Sequence, residues 1–184
     1  LHALLANIVP NPEYSPVALT IGEPQFETPA FIQKSLSKHS ELLRRYPKTA
    51  GESYLNNSMR TFIQTRFNIA LQENQIISTF GTREVLFNFP QYYLFDKSNP
   101  VIAYTNPFYQ IYEGAAIASR SKVFLLNLQE SNGFKPEMDE ELLSQCDMVI
   151  LNFPNNPTGA TLTLNELSEW VKLALKYDFL LIND

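Results

Sequence analysis

From about residue 75 onward, short apolar runs alternate with longer segments whose apolar residues recur every three or four positions. Short apolar runs are typical of buried strands, and the longer spacing is typical of helices with one packed face. The predicted strands span residues 75–80, 101–105, 122–128, 148–153 and 179–184. The predicted helices span residues 82–95, 109–119, 139–145 and 163–177. Repeated strand–helix–strand units indicate an α/β fold of three layers, with a mainly parallel sheet, helices on both faces and the strand order left open.

The first 70 residues follow a different pattern. Leucines near the start recur at helical spacing, Thr28-Pro29 opens a predicted helix to about residue 39, and another helix covers about residues 52–67. We interpret residues 1–45 as an amino-terminal arm with a lead-in helix, and residues 46–184 as the first part of a large domain. The sequence begins within a helical pattern and stops directly after a strand-like run, so we expect a piece of a longer protein, incomplete at both ends.

Composition narrows the function classes. With 45% hydrophobic residues among 184, the chain can form a sizeable core, and its net charge of −5 lacks the basic footprint of a nucleic-acid interface. No apolar stretch approaches the length that spans a bilayer, so we expect no membrane partner. The single cysteine, Cys146, excludes a disulfide within this chain, suits a reducing cytoplasm and is interpreted as structural. We predict no metal site.

The most informative segment is the loop at residues 152–159, Asn-Phe-Pro-Asn-Asn-Pro-Thr-Gly, which directly follows a predicted strand. In open α/β sheets the carboxyl ends of the strands form the edge at which ligands bind. Asn156 can donate a hydrogen bond there, and the Asn156–Pro157 bond is a candidate cis peptide. The alternative is a proline-rich turn that only leads into a capped helix.

Three further strand ends carry candidate chemistry. Gly81, Thr82 and Arg83 stand where a predicted strand gives way to a helix, and a helix start beside a cation favours an anion such as phosphate. The alternative is an ordinary turn with an exposed arginine. Tyr109 follows a proline turn after the next strand and can stack on a flat heteroaromatic ring. The alternative is an aromatic side chain that covers the core.

Asp184 is the fourth candidate, an acid placed directly after four apolar residues. A buried carboxylate in that position needs a cationic partner, which a protonated ring nitrogen would provide. The alternative is a helix-capping or loop acid. Taken together, a phosphate site, a stacking ring, an amide donor and a buried acid describe a pocket for pyridoxal 5′-phosphate.

These residues, in this order, resemble the fold-type I pyridoxal-phosphate-dependent aminotransferases of class I/II, the aspartate aminotransferase group. The resemblance covers essentially the whole chain and is most specific at Asn156-Pro157-Thr158-Gly159. It implies that Asn156 binds the cofactor's O3′ oxygen and contacts substrate, and that Asp184 pairs with the pyridine nitrogen. It further implies that Tyr109 stacks on the cofactor ring, with Tyr109 and Asp184 as the catalytic residues of this segment.

The resemblance assigns five more positions. Gly81, Thr82 and Arg83 match the loop that holds the cofactor phosphate, and Arg83 is also a candidate for reading the distal carboxylate of an acidic substrate. Gly22, in the motif at residues 22–29, matches a glycine near the substrate carboxylate. Tyr46 is similar to a tyrosine that reaches the cofactor phosphate of the neighbouring subunit, which implies a homodimer with shared active sites.

The implied reaction exchanges an amino group between an amino acid and a 2-oxo acid, with aspartate, glutamate or a dicarboxylic diaminopimelate precursor as the expected amino donor. The family's Schiff-base lysine and its substrate-binding arginine lie beyond Asp184, so residues 1–184 alone are expected to be inactive. Two alternatives share the same motifs. They are a carbon–sulfur lyase of this fold and the cofactor-binding sensor domain of a transcription regulator.

Overall fold

The computed structural model describes residues 2–15, 17, 22–24 and 26–184. The chain divides into two compact units, Leu1–Pro47 and Lys48–Asp184. The first unit contains helix α1 (His2–Leu5), helix α2 (Ala30–Lys38) and a 3₁₀ turn at Ser40–Arg44. Helix α2 begins directly after Pro29, as the sequence predicts. The assignment of residues 1–45 and 46–184 to an arm and a large domain of the whole protein stays a prediction.

The second unit contains five α-helices and four strands among its residues. Its helices are α3 (Ser53–Phe67), α4 (Thr82–Tyr93), α5 (Gln110–Ala118), α6 (Glu140–Leu143) and α7 (Leu164–Tyr177). Its strands are β1 (Val101–Asn106), β2 (Lys122–Asn127), β3 (Met148–Leu151) and β4 (Leu180–Asn183). Helix α7 begins with the predicted capping box, since Thr163 and Glu166 each bond the other's backbone N–H. Within the described residues, no helix is both long enough and apolar enough to cross a membrane.

The four strands form one parallel sheet in the order β2-β1-β3-β4. Central strand β3 is apolar throughout and all four of its residues are buried, while β1 is apolar up to Tyr104, as expected when both faces of a parallel sheet are covered. The prediction of a parallel α/β fold is confirmed, and the structure supplies the strand order that the pattern left open.

Successive residues of β1 and β3 point to opposite faces of the sheet, which creates two cores. On one face Ala103, Val149 and Leu151 pack with Leu143 of α6 and Trp170 of α7. On the other face the core comprises Leu86, Leu94, Ile102, Tyr104, Tyr112, Ala116, Met148 and Ile150. Helices α4 and α5 supply the helical residues of this second core. The predicted three-layer α/β/α arrangement is therefore confirmed.

The predicted strand at residues 75–80 is wrong. Glu73–Gln75 forms a 3₁₀ turn, and residues 76–79 pair with no strand among the described residues. Ile77 and Phe80 are 60% and 87% exposed. An apolar run becomes a strand only where a neighbouring strand bonds its backbone N–H and C=O groups, and the local sequence does not contain that information.

Candidate active site

Tyr109, Asn156 and Asp184 lie in segments that follow the carboxyl ends of strands, whereas Gly81, Thr82 and Arg83 follow a stretch that forms no strand. Strand β1 ends at Asn106, β3 at Leu151 and β4 at Asn183, and all three strands run in the same direction. Their following segments therefore leave the sheet at the same edge. This edge carries the turn before α5, the loop at residues 152–159 and Asp184.

Asp184 is held in place by two donors from different parts of the fold. Its Oδ2 atom accepts a hydrogen bond of 2.6 Å from the Tyr112 hydroxyl and one of 3.3 Å from Asn152 Nδ2. Its backbone N–H donates to the Leu151 carbonyl at 2.9 Å, which extends the pairing of β3 with β4. Because Oδ2 accepts both side-chain bonds, Oδ1 is the oxygen left for a ligand.

The expectation that Asp184 is buried is wrong, because the residue is exposed. It follows the last residue of β4, an outer strand of the described sheet, and the helices cover the faces of the sheet rather than its edge. The predicted pairing of Asp184 with a cationic ring nitrogen stays a prediction. Neutral donors, a phenol and a carboxamide, contact the carboxylate.

Tyr112, which the sequence analysis did not single out, is fully buried at 0% exposure on α5. Its ring packs against Tyr104 and, edge to face, against Tyr109, with ring centroids 5.9 Å apart in the second pair. Burial, together with the hydrogen bond to Asp184, raises the pKa of the Tyr112 phenol far above its usual value. The hydroxyl therefore keeps its proton and acts as a donor to Asp184.

Asn152 connects this acid to the loop at residues 152–159. Its Nδ2 donates to the Tyr112 hydroxyl oxygen at 3.0 Å and to Asp184, while its Oδ1 accepts from the Asn156 backbone N–H at 2.8 Å. The Asn156 side chain is exposed at the same edge. Asn152 lies in a loop that the sequence analysis emphasised, but the signature drew attention to Asn156 instead.

The rest of this loop is fixed by its own hydrogen bonds. Asn155 is buried at 4% exposure, and its Oδ1 accepts from both the N–H and the hydroxyl of Thr158, at 3.2 and 2.7 Å. Gly159 has a φ of +73°, in the left-handed region that favours glycine. The predicted cis peptide at Asn156–Pro157 is confirmed, and Phe153–Pro154 and Asn106–Pro107 are also cis.

The predicted anion site lies at the start of α4. Gly81 precedes the helix with a φ of +93° and provides no side chain to cap it, so the N–H groups of the first turn are available to a ligand. The guanidinium carbon of Arg83 lies 6.0 Å from the centre of the Tyr109 ring. This contact places the start of α4 beside the predicted stacking ring. The Glu84 carboxylate lies near the same helix start, where it accepts from the Phe80 N–H at 3.1 Å.

A continuous series of contacts thus joins four of the eight predicted site residues. It runs from Arg83 to Tyr109, Tyr112, Asp184, Asn152 and Asn156. Gly81 and Thr82 adjoin Arg83 in sequence. Gly22 and Tyr46 belong to the first unit, where Tyr46 is fully exposed, and their predicted roles stay predictions. The individual roles of the other site residues in binding and catalysis also stay predictions.

The donor set suits a flat, charged, phosphorylated ligand. An exposed carboxylate oxygen suits a cationic ring nitrogen, an uncapped helix start beside an arginine suits a phosphate, and an aromatic ring between them suits stacking. These are the contacts that pyridoxal 5′-phosphate requires. No group of three or more His, Cys, Asp or Glu side chains among the described residues could hold a metal ion.

Comparison with known proteins identifies the family. The family model named "Aminotransferase class I and II" matches residues 15–184. The structure is similar to aminotransferase AspB from Helicobacter pylori 26695, with 56% sequence identity and a TM-score of 0.94 over 100% of this chain and 48% of that one. It is also similar to an aminotransferase from Neisseria meningitidis Z2491, with 32% identity and a TM-score of 0.88 over 100% of this chain and 48% of that one.

A curated relative has a more specific name. The LL-diaminopimelate aminotransferase of Dehalococcoides mccartyi is 28% identical over 174 residues, which are 91% of this chain and 44% of that protein. The chain therefore spans slightly less than half the length of the relatives that it matches. Its match to the family model covers most of its residues. The chain belongs to the class I and II aminotransferases, a family of pyridoxal-phosphate-dependent enzymes of fold type I.

Proposed function

We propose that the protein of which this chain is a part is an aminotransferase that moves an amino group between an amino acid and a 2-oxo acid. The observation that carries the proposal is the series of contacts from Arg83 to Asn156, because it gathers a cation, a stacking ring, an acid and an amide donor at one edge of the sheet. Family membership supports the same conclusion.

Each residue has a defined task in this proposal. Bound pyridoxal phosphate supplies an electron sink for negative charge that develops at the substrate's α-carbon, provided that the ring nitrogen is protonated. Asp184 keeps a proton on that nitrogen, and Tyr109 holds the plane of the ring. Asn156 donates to the ring's phenolic oxygen, while the turn of Gly81, Thr82 and Arg83 binds the phosphate. The lysine that performs proton transfer comes from outside residues 1–184, so this segment alone is inactive.

We propose an amino acid with two carboxylates as the amino donor, either aspartate, glutamate or a diaminopimelate-type compound. Arg83 is exposed at the site edge, and its guanidinium could bind a distal carboxylate through two parallel hydrogen bonds. The relative named LL-diaminopimelate aminotransferase supports this substrate class. Gly22 would then contact the α-carboxylate end of the substrate.

We further propose a cytoplasmic homodimer. In this arrangement Tyr46 contributes to the cofactor phosphate site of the partner subunit, which requires an accessible side chain, and Tyr46 is fully exposed. The one cysteine is free and buried, which suits a reducing compartment. Sedimentation equilibrium of the full-length protein tests the dimer, and a monomer that is fully active would contradict it.

The function is tested with the purified full-length protein. We expect visible absorbance from bound pyridoxal phosphate and transfer of the amino group from aspartate, glutamate or LL-diaminopimelate to 2-oxoglutarate or oxaloacetate, with higher kcat/KM for these donors than for alanine. Release of sulfide and pyruvate from a cysteine-type substrate, without amino transfer, would instead identify a carbon–sulfur lyase. Cofactor binding with neither activity would favour a sensor domain.

A further inference from the structure

Three side chains at the carboxyl edge form a closed set of hydrogen bonds. Tyr112 donates to Asp184 at 2.6 Å, Asn152 donates to Tyr112 at 3.0 Å, and Asn152 also approaches the same Asp184 oxygen at 3.3 Å. Each of the three side chains contacts both of the others. They come from helix α5, the loop after β3 and the end of β4.

The direction of each hydrogen bond follows from chemistry. A backbone N–H can only donate, so the Asn152 atom that meets the Asn156 N–H must be the amide oxygen. The amide nitrogen of Asn152 therefore faces Tyr112 and Asp184. Because this nitrogen donates to the phenol oxygen, the phenol proton is directed to the carboxylate, which can only accept when ionised.

This arrangement restricts the rotation of the Asp184 carboxylate. An aspartate on an exposed strand end can otherwise turn about two side-chain torsions, and each orientation would present a different oxygen to a ligand. Two donors on Oδ2 select one orientation and leave Oδ1 free. The anchoring side chain is rigid, because the Tyr112 ring is fully buried between helix α5 and the sheet.

Asn152 adds a second connection. Its amide oxygen holds the backbone of Asn156, and its amide nitrogen holds Asp184 through the opposite side of the same group. A planar carboxamide fixes the relative positions of its two ends. Asn156 is proposed to contact the ring's phenolic oxygen, and Asp184 is proposed to contact the ring nitrogen. The Asn152 side chain therefore bridges these two residues and sets the distance between them.

We propose that Tyr112 and Asn152 are positioning residues for the cofactor ring. Tyr112 orients Asp184 toward the ring nitrogen, and Asn152 sets the distance between Asp184 and the loop that carries Asn156. This inference rests on the proposed function, since it requires the pyridoxal phosphate site. Neither residue touches the reacting atoms, and both act through Asp184 or Asn156.

The decisive measurement is the ¹⁵N chemical shift of the ring nitrogen in the full-length protein loaded with ¹⁵N-labelled pyridoxal phosphate. The wild-type shift should be that of a protonated pyridine. In Tyr112→Phe, which removes one hydroxyl and keeps the ring, the shift should move toward the unprotonated value at the same pH. We expect kcat to fall about tenfold or more, with KM for the amino donor changed much less.

A double-mutant cycle shows whether Tyr112 acts through the acid. If it does, Tyr112→Phe should lower kcat in the wild-type background and have almost no further effect in an Asp184→Asn background. Equal losses in both backgrounds would overturn the proposal. Asn152→Ala should both move the ¹⁵N shift and weaken cofactor binding, because it releases the loop as well as the acid.

Tyr104→Phe is the matched control. Tyr104 is buried in the same aromatic cluster, with its ring centroid 6.0 Å from that of Tyr112. The side-chain hydrogen bonds to Asp184 come from Tyr112 and Asn152. This variant should keep the wild-type ¹⁵N shift and kcat. Failure of the wild-type protein to bind pyridoxal phosphate would overturn the proposed function itself. A wild-type shift in both Tyr112→Phe and Asn152→Ala would overturn only this inference.

Discussion

The hydroxyl of Tyr112 donates a hydrogen bond of 2.6 Å to the carboxylate of Asp184, although 72 positions separate the two residues in the chain. Tyr112 belongs to the core between α5 and the sheet, whereas Asp184 follows the end of outer strand β4. The acid of the candidate site is therefore attached directly to a buried core. Substitutions that repack this core should disturb the position of the acid even when they lie far from any ligand.

We predict that Asp184→Ala in the full-length enzyme lowers turnover far more than it weakens binding of pyridoxal phosphate. A carboxylate beside a pyridinium raises the nitrogen's pKa by roughly one to three units, so its loss should reduce kcat about a hundredfold. Cofactor affinity should fall much less, because the phosphate and stacking contacts remain. Steady-state kinetics and a cofactor titration by fluorescence measure the two effects separately.

Asp178→Asn provides the control for this substitution. Asp178 ends helix α7 in the left-handed conformation, with a φ of +57°, which asparagine also adopts readily. Asp178 is exposed, and its replacement by asparagine removes one negative charge without touching the site. Kinetics of Asp184→Ala that match those of Asp178→Asn would show that Asp184 does not keep the ring nitrogen protonated.

We predict that Arg83→Ala reduces kcat/KM for aspartate by about 10- to 100-fold more than for alanine. The basis is the exposed guanidinium beside Tyr109, which can hold a second carboxylate that alanine lacks. Hydrogen bonds to a charged group contribute roughly 1.5–3 kcal/mol, which gives this range. Parallel kinetics with the two donors provide the measurement.

Arg66→Ala is the matched control for Arg83. Arg66 also lies over an aromatic ring, with its guanidinium carbon 5.7 Å from the centre of the Phe67 ring, but it belongs to α3. Removing it tests the general effect of losing an arginine that contacts a ring. Equal losses for aspartate and alanine in Arg83→Ala would assign Arg83 to the phosphate or to the solvent.

Sequence reasoning succeeded where local patterns determine structure. The capping box of Thr163 and Glu166 and the buried run of β3 are recognised from a few neighbouring residues, and both are present. It failed at residues 75–80, because pairing depends on a neighbouring strand rather than on the run itself. It also expected Asp184 to be buried, since the preceding apolar residues gave no information about the edge of the sheet.

The network around Asp184 shows a second limit of sequence reasoning. Tyr112 lies three positions after Tyr109, the residue that directly precedes α5, and this spacing can bring the two rings together, so a sequence signal existed. Nothing local shows that the Tyr112 hydroxyl reaches an acid at the end of another strand. That contact depends on the strand order β2-β1-β3-β4, which the hydrophobic pattern left open.

We predict that Cys146 is unreactive in the folded protein at neutral pH. The side chain is 5% exposed, and burial raises the pKa of its thiol to about 11, so very little thiolate is present. Iodoacetamide labelling, measured by mass spectrometry of the peptide that contains Cys146, should be at least about a hundredfold slower in buffer than in urea. Rapid labelling of the folded protein would contradict the structural role assigned to this residue.

We predict an acid-sensitive contribution of Glu166 to the stability of the second unit. The hydrogen bond and ion pair with Lys135, at 2.7 Å, and the bonds from the Thr163 N–H and hydroxyl lower the pKa of Glu166 from 4.5 to about 2. A carboxyl group whose pKa is lower in the folded state stabilises that state fully at any pH above the group's pKa in the unfolded chain. This contribution disappears as the pH falls from about 4.5 to about 2.

Glu166→Gln should therefore lower the urea midpoint at pH 7 and have a progressively smaller effect as the pH falls toward 2. Circular dichroism of the full-length protein across this pH range provides the measurement. Glu169→Gln is the control, because Glu169 lies on the same helix and pairs with Lys172 at the surface without contacting Thr163 or Lys135. Surface pairs of this kind contribute little, so its effect at pH 7 should be the smaller one. A Glu166→Gln deficit that stays constant from pH 7 to pH 3 would show that packing of the side chain, rather than its charge, stabilises the start of α7.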